Sequence, residues 1–446
     1  MMSPRASILG GSWWNEGNAG SRYANLDNWA ENSNENIGAR GRSDDGSVII
    51  ARRGPWPRRP VTSKLWSARF SCFGKHTARS GRAGRSGTIR CRRDPRPASP
   101  SCPPIGIGMI GSRAMARRYR NLIGKVTSLS NMEAALRLTA AGKRLTPGYL
   151  EFKEFSALNL ADLARDMATG RYQAGEPHEF FILDPKRRLI QALPFRDRIA
   201  QQALCLVIGP IFDSAMLPRA YACRPGKGTH AGVIQLQSDL RREARAGDLY
   251  FLKTDFSRYF ASIERSVLWR LIEAKISCKA TLTLIQAMVP RSGIGLPIGS
   301  LTSQIFANVY AGATIDRHLQ QDLGERLWYR YMDDLVVLGR SSEHLRALKD
   351  EIETYAAREL GLRFSKWQVA SVSRGVNFLG YRIWASHKLL RRDSVIRARR
   401  TIAALRARGD DERLHEFLAA WLGHASWADS GNLIKSLGLP QQWDKR

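Results

Sequence analysis

The chain has 446 residues, of which 70 are lysine or arginine and 40 are aspartate or glutamate, so its formal net charge is +30. This positive excess excludes an ordinary small-molecule enzyme as the default interpretation and favours a polyanionic partner, above all nucleic acid. Apolar residues at 43% exclude a wholly disordered chain, and the sequence lacks any run of about 18 apolar residues that a membrane span needs.

In chain order, the apolar spacing first predicts helices over 131–141 and 158–168, a hairpin over 178–193 around Asp184-Pro185 and a buried helix over 197–212. It then predicts a strand over 248–256, a helix over 266–276 and a helix after Gly299. The last predicted elements are a hairpin over 326–339, a strand over 376–385 and a basic helical stretch over 394–422. Helices and strands mix irregularly, which argues against a doubly wound sheet and for an α+β fold.

The composition changes near residue 108. Residues 1–41 are rich in asparagine, glycine and tryptophan, whereas residues 51–100 contain 14 basic residues and a single acid, Asp94. Because residues 51–108 hold only five Ile, Leu or Val side chains, we predict that they are disordered. Residues 109–446 keep a net charge of +19, so the basic character extends to the predicted folded part.

The spacing of cysteines and histidines does not indicate a zinc site, and the first residues do not indicate secretion. The six cysteines form no CxxC pair and the eight histidines form no HxxxH group, so a structural zinc site is not expected. The first residues lack the apolar run of a secretion signal. We therefore expect a cytoplasmic protein with reduced thiols and no membrane partner.

Two acidic features carry the chemistry. Asp333 and Asp334 stand at the polar tip of a predicted hairpin, in the sequence YMDD, and Asp255 ends a predicted strand. Two hard divalent cations need carboxylates from separate chain segments, and magnesium takes oxygen ligands, water and substrate phosphates. A solvated Asp-Asp turn is the simpler alternative for the pair by itself, but further motifs accompany it.

Four ordered motifs resemble those of reverse transcriptases over residues 120–440. YMDD after an apolar strand resembles their catalytic hairpin, and Asp255 with Phe260 five residues later resembles their first catalytic motif. LPFRDR at 193–198 resembles the fingers motif of bacterial members, and NFLG at 377–380 resembles their primer-grip turn. The resemblance implies RNA-templated nucleotidyl transfer with two Mg²⁺ ions, one activating the primer 3′-hydroxyl and one stabilising the leaving pyrophosphate.

The resemblance also implies roles for individual residues. The implied catalytic set is Asp255, Asp333, Asp334 and Lys366, the last as the group that protonates pyrophosphate. The implied metal set is Asp255, Phe256, Asp333 and Asp334. The implied substrate-binding set is Lys186, Arg187, Arg196, Phe256, Phe260, Ile298, Gly299 and Gln304. The implied nucleic-acid-binding set is Arg224, Lys227, Phe378, Leu379 and Gly380.

Some of these roles have a direct physical reason. A bulky Phe260 ring under the sugar would leave no room for a 2′-hydroxyl and would select dNTPs, although Phe260 also suits an aromatic core position. The cations of Lys186, Arg187 and Arg196 would clamp the triphosphate electrostatically. A solvated basic face remains the alternative for Lys186 and Arg187.

The segment after the first catalytic strand narrows the subfamily. Residues 298–304 read IGSLTSQ, whereas most reverse transcriptases have QGxxxSP, so Ile298 and Gln304 depart from the common pattern. IGxxxSQ resembles the enzymes of diversity-generating retroelements, and residues 421–425 with Asn432 are similar to that group as well. Enzymes of that group copy a template RNA with frequent errors at adenines, and the cDNA replaces a variable region in a target gene. The loop packs near the templating base in the family, so its sequence bears on fidelity.

The fold implied by the resemblance is an α+β right-hand polymerase with fingers at 109–245, palm at 246–390 and a helical thumb at 391–446, preceded by a disordered N-terminal extension. The implied partners are a template RNA, a cDNA primer–template, dNTPs and a small basic accessory variability protein that assembles as a barrel. The nearest alternatives are retron-like or group II intron-like reverse transcriptases of ordinary fidelity. A non-catalytic RNA-binding protein is an alternative of another class.

The N-terminal residues resemble a template repeat. GGSW at 10–13 and NIG at 36–38 are similar to the variable segment of lectin-like target proteins, and asparagines are frequent between them. Mutating either adenine of an asparagine codon creates no stop codon, so such a segment suits adenine mutagenesis. We expect residues 1–41 to be translated template repeat and residues 42–108 translated spacer, with the start at Met109, at Met115 or at a non-ATG codon nearby. A basic RNA-binding arm is the alternative for this region.

Overall fold

A computed structural model describes residues 117–183 and 187–439 of the chain. Residues 1–116, 184–186 and 440–446 lie outside these ranges, and with them the expected N-terminal extension, the Asp184-Pro185 turn and Lys186. Over the described residues, helices and strands mix without a regular alternation, as predicted for an α+β fold. Within the same ranges, no helix combines the length and the apolar character that crossing a bilayer would require.

The first described part is helical and contains one hairpin. Its elements are α1 (Ile123–Val126), α2 (Leu129–Thr139), α3 (Pro147–Glu154), α4 (Ser156–Thr169), β1 (His178–Leu183), β2 (Arg187–Ala192) and α5 (Phe195–Asp213). The antiparallel pairing of β1 with β2 confirms the predicted hairpin. Most of α5 is buried, and its buried Asp197 accepts hydrogen bonds from the Tyr172 hydroxyl (2.8 Å) and the Gly175 amide (3.0 Å). This polar group is therefore satisfied inside the core.

The next part of the chain builds a four-stranded antiparallel sheet with helices around it. Its elements are α6 (Thr229–Glu243), β3 (Tyr250–Phe256), α7 (Tyr259–Ser262), α8 (Arg265–Lys275), α9 (Lys279–Met288), α10 (Leu301–Ala313), α11 (Ile315–Arg317), β4 (Trp328–Tyr331), β5 (Asp334–Gly339), α12 (Ser342–Leu360) and β6 (Phe364–Ser371). The strand order is β4-β5-β3-β6. The predicted strand over 248–256 and the predicted hairpin over 326–339 are confirmed as β3 and as β4 with β5.

Both faces of this sheet are covered by apolar cores. Leu252 and Phe256 of β3 belong to one core, which includes side chains of α5 and α10. Phe251 belongs to the other core, which includes side chains of the C-terminal strands and helices. This alternation follows from the two-residue period of a strand. Towards the end of β3, Lys253 and Asp255 continue the second face, so polar side chains replace apolar ones there.

The C-terminal part is a three-stranded sheet followed by helices. Its elements are β7 (Val376–Phe378), β8 (Tyr381–Ile383), β9 (Lys388–Leu390), α13 (Arg392–Arg408), α14 (Asp411–Ala425) and α15 (Gly431–Ser436). The prediction of one strand over 376–385 is wrong, because Leu379 and Gly380 both have positive φ and turn the chain between two strands. The helical stretch over 394–422 is interrupted at Gly409, which ends α13 in the left-handed conformation.

A fully buried ion pair lies beside the β4–β5 hairpin. The side chains of Arg330 in β4 and Asp316 in α11 are both 0% exposed, and the guanidinium donates to the two carboxylate oxygens over 2.6 and 2.8 Å. Arg330 also donates to the carbonyls of Met332 (3.1 Å) and Asn308 (3.5 Å), so one cation joins the hairpin turn to α10. Removing one partner of such a pair leaves a buried charge uncompensated.

We expect Arg330→Met to destabilise the fold by about 3–5 kcal/mol, because Asp316 would stay buried without its partner. The matched control is Arg340→Met, which removes a more exposed pair with Glu243 and should cost about 0–1 kcal/mol. Urea unfolding followed by circular dichroism measures both free energies. Equal losses in the two variants would contradict a special role for the buried pair.

Candidate active site

Three polar side chains form a row across one face of the four-stranded sheet. Asp255 of β3 lies directly opposite Asp334 of β5 on one side and Lys366 of β6 on the other. Directly opposite residues of an antiparallel pair share a face, and Lys253, two residues before Asp255, shares it as well. The structure thus brings Asp255 together with the acidic hairpin and places Lys366 beside them.

The β4–β5 hairpin carries Asp333 in a two-residue turn. Tyr331 pairs with Asp334, so Met332 and Asp333 are the two turn residues. Met332 has a φ of 53°, and a positive φ at the first turn position is usual for glycine, so this backbone is strained. The Asp333 carbonyl accepts a hydrogen bond from the Phe256 amide (3.3 Å), which ties the turn to the end of β3.

The electrostatics around Asp333 favour a cation. Burial and then the nearby charge of Asp255 raise the pKa of Asp333 to about 6. The pKa of Asp334 is raised as well, by burial first, while the charge of Lys253 opposes the increase. Carboxylates held close together disfavour each other's ionisation, and a divalent cation between them would relieve that repulsion.

The donor set fits a hard divalent cation. Asp255 and Asp333 come from separate segments and would supply carboxylate oxygens, and Phe256 would add a backbone carbonyl next to Asp255. Nowhere in 117–183 or 187–439 are three or more His, Cys, Asp or Glu side chains grouped like a metal site, so the protein offers only a small set. Magnesium commonly keeps waters and substrate phosphates as its remaining ligands. The Ser365 hydroxyl donates to the Asp255 carboxylate over 3.0 Å, which orients it.

Lys253 is a site residue that the sequence analysis did not select. Its ammonium group contacts both Asp334 oxygens, at 2.8 Å for Oδ1 and 2.9 Å for Oδ2, and donates to the Asn377 carbonyl over 2.7 Å. The signal was present in the sequence, because a residue two before Asp255 on a strand must share its face. The carboxylate of Asp334 is therefore engaged by a cation of the protein itself.

The two phenylalanines of the first motif differ in exposure. Phe256 is buried, its ring packs against Phe364 with 4.9 Å between centroids, and its backbone amide donates to the Asp333 carbonyl. Phe260 is partly buried, and its ring meets Tyr259 edge-on at 5.9 Å. Phe260 thus packs on the core with one side and keeps another side exposed, as both roles considered for it require.

The β1–β2 hairpin brings an unselected arginine near the acids. The charge of Arg188 lowers the pKa of Asp333 against the larger effects of burial and Asp255, so Arg188 belongs to the electrostatic surroundings of the site. Its neighbour Arg187 is exposed and lies over the Phe181 ring at 3.8 Å. The Arg-Arg pair was visible in the sequence, and the alternation of side chains along β2 puts its two members on opposite faces of the hairpin.

Arg196, which the resemblance assigns to the triphosphate, is paired with acidic side chains of the protein. Its guanidinium pairs with Asp166 of α4 at 2.9 Å and with Asp197 at 3.6 Å, and it remains partly exposed. Arg196 therefore joins α5 to α4 in the structure. Contact of Arg196 with a triphosphate stays a prediction, and Lys186 lies outside the described residues.

Residues 298 and 299 are fixed against β2. The Ile298 carbonyl accepts a hydrogen bond from the Gln191 amide over 2.9 Å. Gly299 has a φ of 114°, and a Cβ at this position would lie 2.7 Å from the Gln191 carbonyl oxygen. Both the backbone conformation and the close approach therefore require glycine.

The rest of this segment begins α10. Ser300 caps the helix, and its hydroxyl and the Leu301 amide both donate to Gln201 of α5 over 3.0 Å. Gln304 lies one turn into the helix and accepts a weak hydrogen bond from the Cys223 thiol at 3.5 Å. The departures from the common pattern thus lie between β2 and the loop that contains Cys223.

The two cations assigned to nucleic acid are held by the protein. Arg224 is buried and donates to Asp213 (2.5 Å) and to the Leu217 carbonyl (2.6 Å), so it braces the loop internally. Lys227 is half-buried and donates to the Pro218 carbonyl over 3.0 Å. Direct contact of either side chain with nucleic acid stays a prediction.

The residues that resemble a primer grip form the turn between β7 and β8. Phe378 is fully buried, and Leu379 and Gly380 have φ values of 50° and 90°. A Cβ on Gly380 would lie 3.3 Å from the His424 ring of α14, so the turn packs closely against this helix. The Tyr381 hydroxyl and the His424 ring nitrogen are 2.9 Å apart and strengthen the same junction.

Comparisons with known proteins agree with this geometry. Residues 184–383 match the family model described as "Reverse transcriptase (RNA-dependent DNA polymerase)". The chain is 22% identical over 317 residues to Protein YkfC of Escherichia coli (strain K12), which covers 60% of this chain and 83% of that protein. It is also 30% identical over 115 residues to Nuclear intron maturase 2, mitochondrial, of Arabidopsis thaliana. That alignment covers 22% of this chain and 15% of the maturase. Apo telomerase from Candida tropicalis, truncated from the C-terminal domain, aligns with a TM-score of 0.39 and 13% identity over 53% of this chain and 60% of that chain.

The matched segment contains every acid of the site. Residues 184–383 run from before β2 to the end of β8 and include Asp255, Asp333 and Asp334. Residues 184–383 therefore match a reverse transcriptase domain, and this match indicates RNA-directed DNA polymerase activity. Such domains use an RNA template, nucleotide substrates and divalent metal ions, typically Mg²⁺.

We expect Gly299→Ala to slow primer extension by about 10- to 100-fold, because the added Cβ collides with the β2 backbone and displaces the segment. Gly361→Ala is the matched control, since Gly361 also has a positive φ (64°) but open space around its Cβ position. Thermal unfolding of both proteins separates backbone strain from the local collision. Similar primer-extension rates for the two variants would show that backbone strain, and not the collision with β2, causes the loss of activity.

Proposed function

We propose that this protein makes error-prone, adenine-mutagenised cDNA from a template-repeat RNA, for insertion into a variable target gene. The polymerase part of the proposal rests on one observation: Asp255 and the Asp333 turn meet at the end of two paired strands. The mutagenic part rests on Ile298, which is hydrogen-bonded to β2, and on Gln304, which lies in α10 against Cys223.

The proposed chemistry is attack of a primer 3′-hydroxyl on the α-phosphorus of a bound dNTP, with pyrophosphate as the leaving group. Asp255, Asp333 and the Phe256 carbonyl would hold two Mg²⁺ ions, which when bound neutralise charge on the reacting oxygens. The hydrogen bond from the Ser365 hydroxyl orients the Asp255 carboxylate, which supports this role. Lys366 lies opposite Asp255 and is exposed, which supports the proposal that it would give a proton to the leaving pyrophosphate.

Basic side chains near the β1–β2 hairpin would bind the triphosphate. Arg188 is near enough to influence the Asp333 carboxyl electrostatically, and Arg187 is exposed beside it. Cations in such positions stabilise the charge that develops on the transferred phosphoryl group. Phe260 would lie under the sugar and exclude a 2′-hydroxyl. Template and primer would bind through backbone phosphates, which makes binding sensitive to salt.

The proposed partners follow from the retroelement role. A structured template RNA would supply the template, and a small basic accessory protein assembled as a barrel would take part in cDNA synthesis. The N-terminal residues 1–41 and 42–108 would be translated template repeat and spacer. These partners and segments depend on the resemblance of residues 298–304 and 1–41 to that group of elements.

Polymerase activity is tested by Asp333→Asn in the full-length protein, with oligonucleotide-primed RNA, dNTPs and Mg²⁺. We expect a loss of about 100-fold or more in extension rate, because one of two carboxylates that would hold the cations is lost. Asp350→Asn, which changes a highly exposed aspartate of α12, is the matched control and should extend normally. Extension by Asp333→Asn at the wild-type rate would refute the assigned site.

Mutagenesis is tested by sequencing the cDNA for errors. We expect wild-type errors to concentrate at template adenines, and Ile298→Gln with Gln304→Pro to reduce their share roughly tenfold, the discrimination that one contact in a pocket supplies. Ile294→Gln, at a largely exposed isoleucine outside the segment, should leave the error spectrum unchanged.

Accurate cDNA from the wild-type protein would favour the second candidate, a reverse transcriptase of ordinary fidelity related to intron-encoded enzymes. The similarity to a protein named as a nuclear intron maturase supports this candidate. The IGxxxSQ segment supports the first.

A further inference from the structure

We propose that Lys253 is a positioning residue for nucleotidyl transfer. It neutralises Asp334, so that Asp255 and Asp333 are left to face the metal ions, and it ties the acidic hairpin to the β7–β8 turn. This inference rests on the proposed polymerase function and assigns a role to a lysine that lies two residues before a catalytic acid.

The surroundings of Lys253 make its charge costly without partners. Its side chain is 19% exposed, and its paired neighbour on β5 is the buried Val336. Phe251, on the same face of β3, belongs to the apolar core. An ammonium group in such a place must be paired with charge or hydrogen-bond acceptors. The contacts of its Nζ supply these partners.

The Nζ atom joins two separate sheets. Its contacts are both oxygens of Asp334, at 2.8 and 2.9 Å, and the carbonyl of Asn377 at 2.7 Å. Asp334 directly follows the Asp333 turn, whereas Asn377 belongs to β7, two residues before the Leu379 turn. One cation thus fixes the distance between the hairpin that carries a catalytic acid and the turn proposed to grip the primer.

The same contact sets the charge of the site. Asp255, Asp333 and Asp334 are three neighbouring carboxylates, and each additional negative charge opposes ionisation of the others. Lys253 pairs with Asp334, so Asp255 and Asp333 remain as site carboxylates without a salt bridge among the described residues, with the longer-range charge of Arg188 acting on Asp333. Removing the ammonium group while keeping Asp334 would add one net negative charge beside the place where divalent cations would bind. That change attracts cations more strongly and at the same time releases the hairpin from β7.

The test uses the full-length protein with Lys253→Met, Asp334→Asn, both together, and Lys253→Arg. Lys349→Met is the matched control, because Lys349 also pairs with two carboxylates but lies in α12. Mn²⁺ binding is measured directly by electron paramagnetic resonance of unbound Mn²⁺. Primer extension with Mg²⁺ gives kcat and the KM for dNTP, and circular dichroism verifies folding.

We expect Lys253→Met to bind Mn²⁺ at least about threefold more tightly, because a unit charge at this distance is only partly screened. Adding Asp334→Asn should reverse that gain. The kcat of Lys253→Met should fall at least about tenfold while the KM for dNTP changes little, since the reacting groups rather than the nucleotide contacts are displaced. Lys253→Arg should recover part of kcat, and Lys349→Met should match wild type.

The contact between Lys253 and Asp334 predicts that the kcat losses of the two single variants are not additive. The double variant Lys253→Met with Asp334→Asn should lose no more kcat than the worse single variant, because both changes remove the same contact. Unchanged Mn²⁺ affinity in Lys253→Met, or kcat losses that multiply in the double variant, would overturn the proposal. If Lys253→Met does not fold, the double variant, which leaves no unpaired carboxylate, should fold and is compared with Asp334→Asn.

Failure of the polymerase proposal gives a different result. If wild-type protein makes no cDNA but Lys253→Met still alters Mn²⁺ affinity and Asp334→Asn reverses it, the charge balance stands and the reaction assignment fails. If cDNA synthesis is normal and Lys253→Met behaves like Lys349→Met in every measurement, the role of Lys253 fails and the polymerase assignment stands.

Discussion

The register between β3 and β5 is the constraint on which the site depends. Asp255 lies opposite Asp334 because Phe251 pairs with Leu338 and the register continues without a bulge between these two pairs. A slip of one residue would turn Asp255 towards the core that holds Leu252 and would expose that leucine on the other face. Since apolar cores cover both faces of the sheet, the penalty for such a slip is high. The position of the acids is thus secured by side chains that take no part in chemistry.

The charge of the whole chain and the charge of the site have opposite signs. A net charge of +30 suits a long polyanion such as RNA or a primer–template duplex. The carboxylates of the site would repel that polyanion unless cations compensated them. The protein supplies part of the compensation through Lys253, which pairs with Asp334, whereas the charge of Arg330 is balanced by Asp316. Divalent ions would supply the rest.

The sequence predicted the elements that have a local signal. β3 and the β4–β5 hairpin are apolar runs that end in acids or flank a polar tip, so their type and position followed from the residues themselves. β6 was missed because residues 365–368 are all exposed in the structure, and an edge strand of this kind shows no apolar alternation. The strand expected over 376–385 proved to be two strands, because a non-glycine residue, Leu379, adopts a positive φ that sequence patterns seldom indicate.

Site residues could be predicted from the sequence where the order of motifs identifies them. They could not be predicted where the role of a residue depends on which side chains it contacts. Arg224 was assigned to nucleic acid through the family resemblance, yet its guanidinium is buried on Asp213. That partner comes from a different segment, so only the tertiary structure reveals it. Arg188 and Arg187 are adjacent in sequence and lie on opposite faces of the hairpin, and the tertiary structure rather than residue type brings Arg188 near Asp333.

Three segments converge on the site, and a polar contact fixes each of them. Arg330 holds the hairpin turn through the Met332 carbonyl, Gln201 holds the start of α10 through Leu301, and Lys253 holds β7 through Asn377. Apolar burial supplies most of the stability of such a domain, but it has no direction and tolerates small displacements. Hydrogen bonds to charged groups are directional and short, so they set orientation. Chemistry at a phosphorus atom tolerates little misplacement. This explains why the chain keeps buried cations beside its acids, where a purely apolar core would have sufficed for folding.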